Sequence, residues 1–320
     1  MSTEKEYICG LKREDFQTTV NGKKTDLFVL TNKKGHEVAF TNYGGAIVAI
    51  MMPDREGKMA NVIQGQNDGQ NSLHGGPKGF HAKVWKARQM SDNSVALLYT
   101  SSYGEESFTG EVKICVEYTF TDNDELIIEY LATTNKKTII NLTHHAYFSL
   151  AGIANPTPAI DDLRCEINAD FYLPVDNECI PTGEILKVAD TPFDFRTPKA
   201  IGRDINADNE QLKNGNGYDH CYVLNKKEEG ELSFAAKITE PASGRTMAVY
   251  TTEPGMQMYS DNWGNGCPGQ HGATFPKRSA VCFECQHFPD SPNRPYFPSV
   301  ILEPGCEYKQ KTIYAFSVEN

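Results

Sequence analysis

Between Val112 and Phe120 the apolar side chains fall on every second position, Val112, Ile114, Val116, Tyr118 and Phe120, with polar or small residues between them apart from Cys115. A repeat of two is the side-chain period of a strand, so this stretch reads as a strand with one buried face and one partly solvated face. Thr121-Asp122-Asn123-Asp124 is a turn signal, and residues 126–131 return in the same pattern, which makes the pair a hairpin. Residues 27–30 and 38–40 flank Asn32-Lys33-Lys34-Gly35 in the same way, and residues 233–239 and 246–252 flank Ser243-Gly244-Arg245. Long stretches of helical period are hard to find because Gly and Pro punctuate the chain too often. Strands at short intervals with few helices predict an all-β chain, a sandwich or a barrel.

The 320 residues carry no Ser/Gly-rich linker, fixed-period repeat or low-complexity tract, and the expectation is one domain over 1–320. Lys226-Lys227-Glu228-Glu229-Gly230 reads as a solvated hairpin tip. Against 42 acidic residues stand 31 basic ones, a formal net charge of −11. Such a surface repels phosphate backbones and anionic lipid, which argues against nucleic-acid and membrane partners. The longest apolar run, 46–52, falls far short of the roughly 18 residues a spanning helix needs. The first residues show no basic region followed by an apolar one, so a cytoplasmic location is expected.

Nine cysteines lie scattered from Cys9 to Cys306. An odd number in a chain of this size argues against a disulfide framework, and they read mostly as reduced, buried small hydrophobes. Cys282 and Cys285, close to His287, lack the second ligand pair that a structural zinc site needs, so no metal is expected.

Four segments look unlike strand or turn filler: Asn71-Ser72-Leu73-His74-Gly75-Gly76, residues 141–148 around His144-His145, Gly217-Tyr218-Asp219-His220, and residues 280–286 around Glu284. On a strand Val281, Phe283 and Cys285 share one face, while Cys282, Glu284 and Gln286 share the other. A carboxylate in so apolar a strand either faces water along an edge or loses hydration; in the second case its pKa rises towards neutrality, as suits a base. Adjacent histidines on a strand point to opposite faces, so at most one of His144 and His145 reaches a given pocket, the other packing as a hydrogen-bonded imidazole. A histidine, with a reference pKa of about 6.5, is a natural proton donor at cellular pH. His74 sits beside two glycines that allow close approach of a ligand. Asp219 reads equally as an acceptor for hydroxyls and as a turn cap.

Together these segments resemble the aldose 1-epimerases (galactose mutarotases). The resemblance rests on Asn-Ser-Leu-His-Gly-Gly at 71–76 with Lys78-Gly79-Phe80 and Val84-Trp85 after it, on Asn-Leu-Thr-x-His-x-Tyr-Phe at 141–148, and on Gly-Tyr-Asp-His at 217–220. Pro-Gly-x-Gln at 254–257, Cys-x-Glu-x-Gln at 282–286 and the ending Ile301-Leu302-Glu303-Pro304-Gly305 follow in family order. It implies a large antiparallel β-sandwich with few short helices and a sugar site in an open cleft. It also implies Glu284 as base, His145 as acid, His74 assisting, and Asp219, Gln257 and Asn71 binding an aldohexose, with no cofactor. Glu303 and Glu307 read as surface residues.

The chain departs from the family pattern before Asn71. Where the family has a longer segment with a Gly-Arg-x-x-Asn-Arg-like motif, only Gly69-Gln70 stands. Either a sugar-binding hairpin is absent or the chain as written omits a stretch; a deletion removes a charge-assisted donor and weakens sugar binding. His144 replaces the usual asparagine, Cys285 a threonine and Cys306 a glutamate. Three rival readings remain. A non-catalytic sugar-binding sandwich fits the missing arginine. A glycoside hydrolase needs a second carboxylate flanking the bond, and none pairs convincingly with Glu284. Gly264-Asn265-Gly266-Cys267-Pro268-Gly269 matches a dinucleotide fingerprint in letters, but it lacks the preceding strand and following helix.

Overall fold

The computed structural model describes residues 7–64 and 74–320. Its largest sheet has nine strands, all paired antiparallel, in the spatial order Lys199–Ala200, Arg164–Ile167, Ser233–Thr239, Arg245–Thr251, Glu307–Val318, Glu125–Thr134, Val112–Phe120, Ser94–Ser101 and Lys86–Ser91. The alternation that predicted Val112–Phe120 is realised over the whole strand: its five apolar positions are buried and the residues between them are not. Its hairpin partner begins right after the predicted turn.

A second, five-stranded antiparallel sheet runs in the order Leu186–Lys187, Ala169–Tyr172, Asp219–Leu224, Gly255–Tyr259, Cys282–Gln286. A four-stranded meander, Leu27–Thr31 to Met59–Asn61, forms a third. One continuous core contains Met256, Met258 and Phe283 of the five-stranded sheet, Val249, Tyr314 and Ile128 of the nine-stranded sheet, and Val38 and Ile50 of the meander. Sheets that share one apolar interior form a sandwich, as predicted. Side chains also stitch the layers: Tyr314 Oη donates to the Phe283 carbonyl at 3.0 Å and Gln310 Nε2 to the Cys285 carbonyl at 2.8 Å.

Two local expectations need correction. The charged run at 226–230 is not a hairpin tip, because the strand before it belongs to the five-stranded sheet and the strand after it to the nine-stranded one. Lys226 is not solvated like its neighbours: its Nζ donates to the carbonyl of Glu231 and the hydroxyl of Ser233, at 3.0 and 2.9 Å, and to the Thr251 carbonyl. The second concerns His144 and His145, which lie in irregular backbone just before the short strand Tyr147–Phe148 rather than on a strand. The letters of the dinucleotide fingerprint fold into the strand Asn265–Pro268, paired with Thr274–Pro276. Among the described residues no helix is long and apolar enough to cross a membrane.

Candidate active site

Register decides which side chains of the five-stranded sheet meet. Gln257 stands opposite Glu284 on one side and opposite Cys221 on the other, while Tyr259 stands opposite Cys282 and Asp219. Residues opposite one another, or two apart on one strand, share a face. One face therefore carries Asp219, Gln257, Tyr259 and Glu284. The other, with Met256, Met258, Phe283 and Cys285, is buried in the core.

Cys282–Gln286 is an edge strand, yet Glu284 is only 5% exposed, so the alternative of a water-facing acid falls. Along that edge lies the segment 141–148, joined to it where the backbones of Phe148 and Val281 bond reciprocally at 2.9 and 3.0 Å. This puts His145 Nε2 3.4 Å from Glu284 Oε1. The His145 ring stacks on Tyr147, with centroids 4.9 Å apart, and meets the rings of Tyr259 and His74 edge-on at 6.0 and 5.3 Å. His144 turns away: it is half-buried, its ring edge-on to Tyr118, with Nε2 3.4 Å from the Gly45 carbonyl. Burial lowers its pKa to about 4, which keeps it neutral.

Burial raises the Glu284 pKa to about 8; the charge of His74 opposes that rise and the nearby Asp219 carboxylate adds to it. Asp219 is also raised, chiefly by burial, against the hydrogen bond it accepts from Gln257 Nε2 at 2.7 Å. Because a carboxylate only accepts, that bond fixes the Gln257 amide orientation and leaves its Oε1 buried with no hydrogen-bond partner among the described residues. Asp219 is held by the turn before it. Gly217 adopts φ 141° where a Cβ would come within 2.3 Å of Asn262 Oδ1, and Tyr218 N donates to Ser260 Oγ at 3.0 Å. The turn-cap alternative for Asp219 gives way to a strand-end carboxylate on the face that carries Gln257 and Glu284. Its neighbour His220 is fully buried, with its pKa lowered to about 3 by burial, and packs edge-on against Tyr172 and Phe193.

Five of the six predicted site residues, Glu284, His145, His74, Asp219 and Gln257, are thus linked by direct contacts or facing register. Asn71 and the shortened junction at Gly69-Gln70 lie outside the described residues. The aromatic wall of Tyr147 and Tyr259 was missed by the sequence reading, although Tyr259 lies two positions after Gln257 and so shares its face. Cys282 and Cys285 point to opposite faces and cannot bind one ion together; among the described residues no group of three or more His, Cys, Asp or Glu side chains is placed to hold a metal. Glu303 and Glu307 are exposed, as expected.

A buried carboxyl of raised pKa beside an imidazole, with a fixed carboxylate–amide pair next to them, is equipped to move protons on a hydroxylated ligand. The family model for aldose 1-epimerase matches residues 62–315. The chain belongs to the aldose 1-epimerase family. It is 42% identical to the galactose mutarotase of Bos taurus over 283 residues, covering 86% of this chain and 79% of that one. With the galactose mutarotase of Homo sapiens the identity is 45% over 253 residues, covering 79% and 71%. In structure it superposes on a GalM/aldose epimerase homologue from C. elegans with a TM-score of 0.82 at 27% identity, over 92% of this chain and all of the other. The mutarotase-like sandwich expected from the sequence is the fold of this epimerase chain.

Proposed function

We propose that the chain interconverts the α and β anomers of an aldohexose such as galactose or glucose, with Glu284 as base and His145 as acid. The reading is carried by one observation, the 3.4 Å approach of the His145 imidazole to a carboxyl that is otherwise buried. Glu284 removes the proton from the anomeric hydroxyl while His145 protonates the ring oxygen. The C1–O5 bond breaks with its electron pair going to the ring oxygen, and C1 becomes an aldehyde. Rotation about C1–C2 presents the other carbonyl face; on closure the ring hydroxyl returns its proton to His145, and protonated Glu284 delivers its own to the aldehyde oxygen. His74, when protonated, favours the ionised form of Glu284. Asp219 accepts from sugar hydroxyls, and the unpartnered Gln257 Oε1 takes a further one. Asn71, by its motif position, is a further sugar-binding residue.

Ring opening and closure each need only proton transfers that side chains supply, and each positioned transfer contributes about 10²–10⁴-fold. The reading includes a single domain, a cytoplasmic setting and a small neutral sugar as partner; the net charge of −11 disfavours nucleic acid. Polarimetry on freshly dissolved α-galactose tests it. The expected result is an anomerisation rate that rises in proportion to protein concentration; a spontaneous rate unchanged at saturating protein would identify a sugar-binding module instead.

A further inference from the structure

The Glu284 strand is held in register by its neighbour along its whole length, but the acid's segment is not. From Asn141 to Ala146 no backbone–backbone hydrogen bond forms among the described residues. The position of His145 therefore depends on how the two ends of that segment are tied. At its far end Phe148 pairs with Val281, the residue immediately before the Glu284 strand. At its near end Asn141 makes a reciprocal pair with the backbone of His287, the residue immediately after that strand: Oδ1 accepts from the His287 N–H and Nδ2 donates to its carbonyl, both at 3.0 Å. His287 is itself fixed, its Nδ1 lying 2.6 Å from Oε2 of the almost fully buried Glu253, just ahead of the Gln257 strand.

A second tie runs through the sandwich interior. The Leu142 N–H donates to Tyr308 Oη at 3.2 Å, Tyr308 donates to Gln310 Oε1 at 2.8 Å, and Gln310 Nε2 donates to the carbonyl of Cys285 at 2.8 Å. All three bonds point the same way along the chain, so each polarises the next. The relay ends on the residue beside Glu284. We infer that Asn141 and Tyr308 are positioning residues, which set the spacing between His145 and Glu284 by clipping the acid-bearing segment to the far end of the base-bearing strand. They act through His145, and a misplacement of about 1 Å at such a pair costs up to 10²-fold in rate.

This inference rests on the acid–base reading above, and the test separates the two. Tyr308→Phe removes one hydroxyl at constant shape, and Asn141→Ala removes the clip at an exposed position. Both are compared with Glu284→Gln for kcat, KM and melting temperature. The expected result is a fall in kcat of about tenfold in each single variant with KM within about twofold, and a double variant less impaired than the product of the singles because either loss frees the same segment. Wild-type kcat in both folded variants, with Glu284→Gln inactive, overturns the positioning role alone. Equal changes in kcat and KM, or strictly multiplicative losses, overturn it as well. A Glu284→Gln variant with the wild-type rate removes the acid–base reading itself.

Discussion

Burying Glu284 has a cost in stability that follows a definite pH course. Its native pKa is raised from 4.5 to about 8. Below the lower value both native and unfolded chains hold the proton and nothing is lost. Between the two the unfolded chain releases its proton while the native chain retains it, so stability falls as pH rises and the full loss is reached above the upper value. Glu284→Gln removes that term: its melting temperature is expected to match the wild type near pH 4 and exceed it increasingly up to pH 8.5 in paired thermal melts. The same shift predicts that kcat/KM climbs with pH on a limb well above the ordinary carboxylate range, because the free enzyme must ionise Glu284 to act. Steady-state kinetics should also separate the neighbours. His145→Asn lowers kcat by about 10²-fold or more with modest change in KM, whereas Asp219→Ala chiefly raises KM. The facing of Glu284 was legible from alternation alone. Its burial was not, because what covers it is a segment far away in sequence.

Among elements, the Glu284 strand does two jobs through its two faces. Phe283 and Cys285 anchor it in the core while Glu284 lies on the opposite face, beside Gln257. Phe283→Ala is expected to cost about 3–5 kcal/mol in denaturant melts, the range for truncating a buried aromatic. The loop carrying His74 is set by contact rather than by ladder. A Cβ on Gly79 would sit 2.6 Å from the His74 carbonyl and 3.1 Å from His81 Nδ1. Gly79→Ala should therefore displace His74 and lower turnover while leaving the melting temperature within a few degrees. A strand with clean alternation, such as Val112–Phe120, was readable because a local period and a flanking turn suffice to specify it. The stretch at 226–230 was misread because a charged turn looks the same whether it closes a hairpin or crosses between sheets. His144 and His145 were misplaced for a related reason: diverging neighbours suggest a strand, but here irregular backbone separates them.

In the whole molecule, the sandwich serves to bring positions 74, 145, 219, 257 and 284 together at one site. Arg245 illustrates how its layers are locked. Its buried guanidinium donates to the carbonyls of Met52 and Leu150, each at 3.2 Å, and Lys58 at 2.9 Å, so a strand of the nine-stranded sheet grips both the meander and the segment following Phe148. Arg245→Met strands those carbonyls and is expected to cost about 3 kcal/mol or more in stability, read as an earlier chemical-denaturation midpoint. The fold class and the family were legible because motifs recur in order along the chain. The aromatic wall, the Asn141 clip and the Tyr308 relay were not, since each exists only once distant strands are paired. The most direct test of the account is exchange NMR between the α and β anomers of galactose with Glu284→Gln, together with a titration of sugar binding. The account predicts that catalysed exchange vanishes while the sugar still binds within a few-fold of the wild type; exchange persisting at the wild-type rate would contradict it.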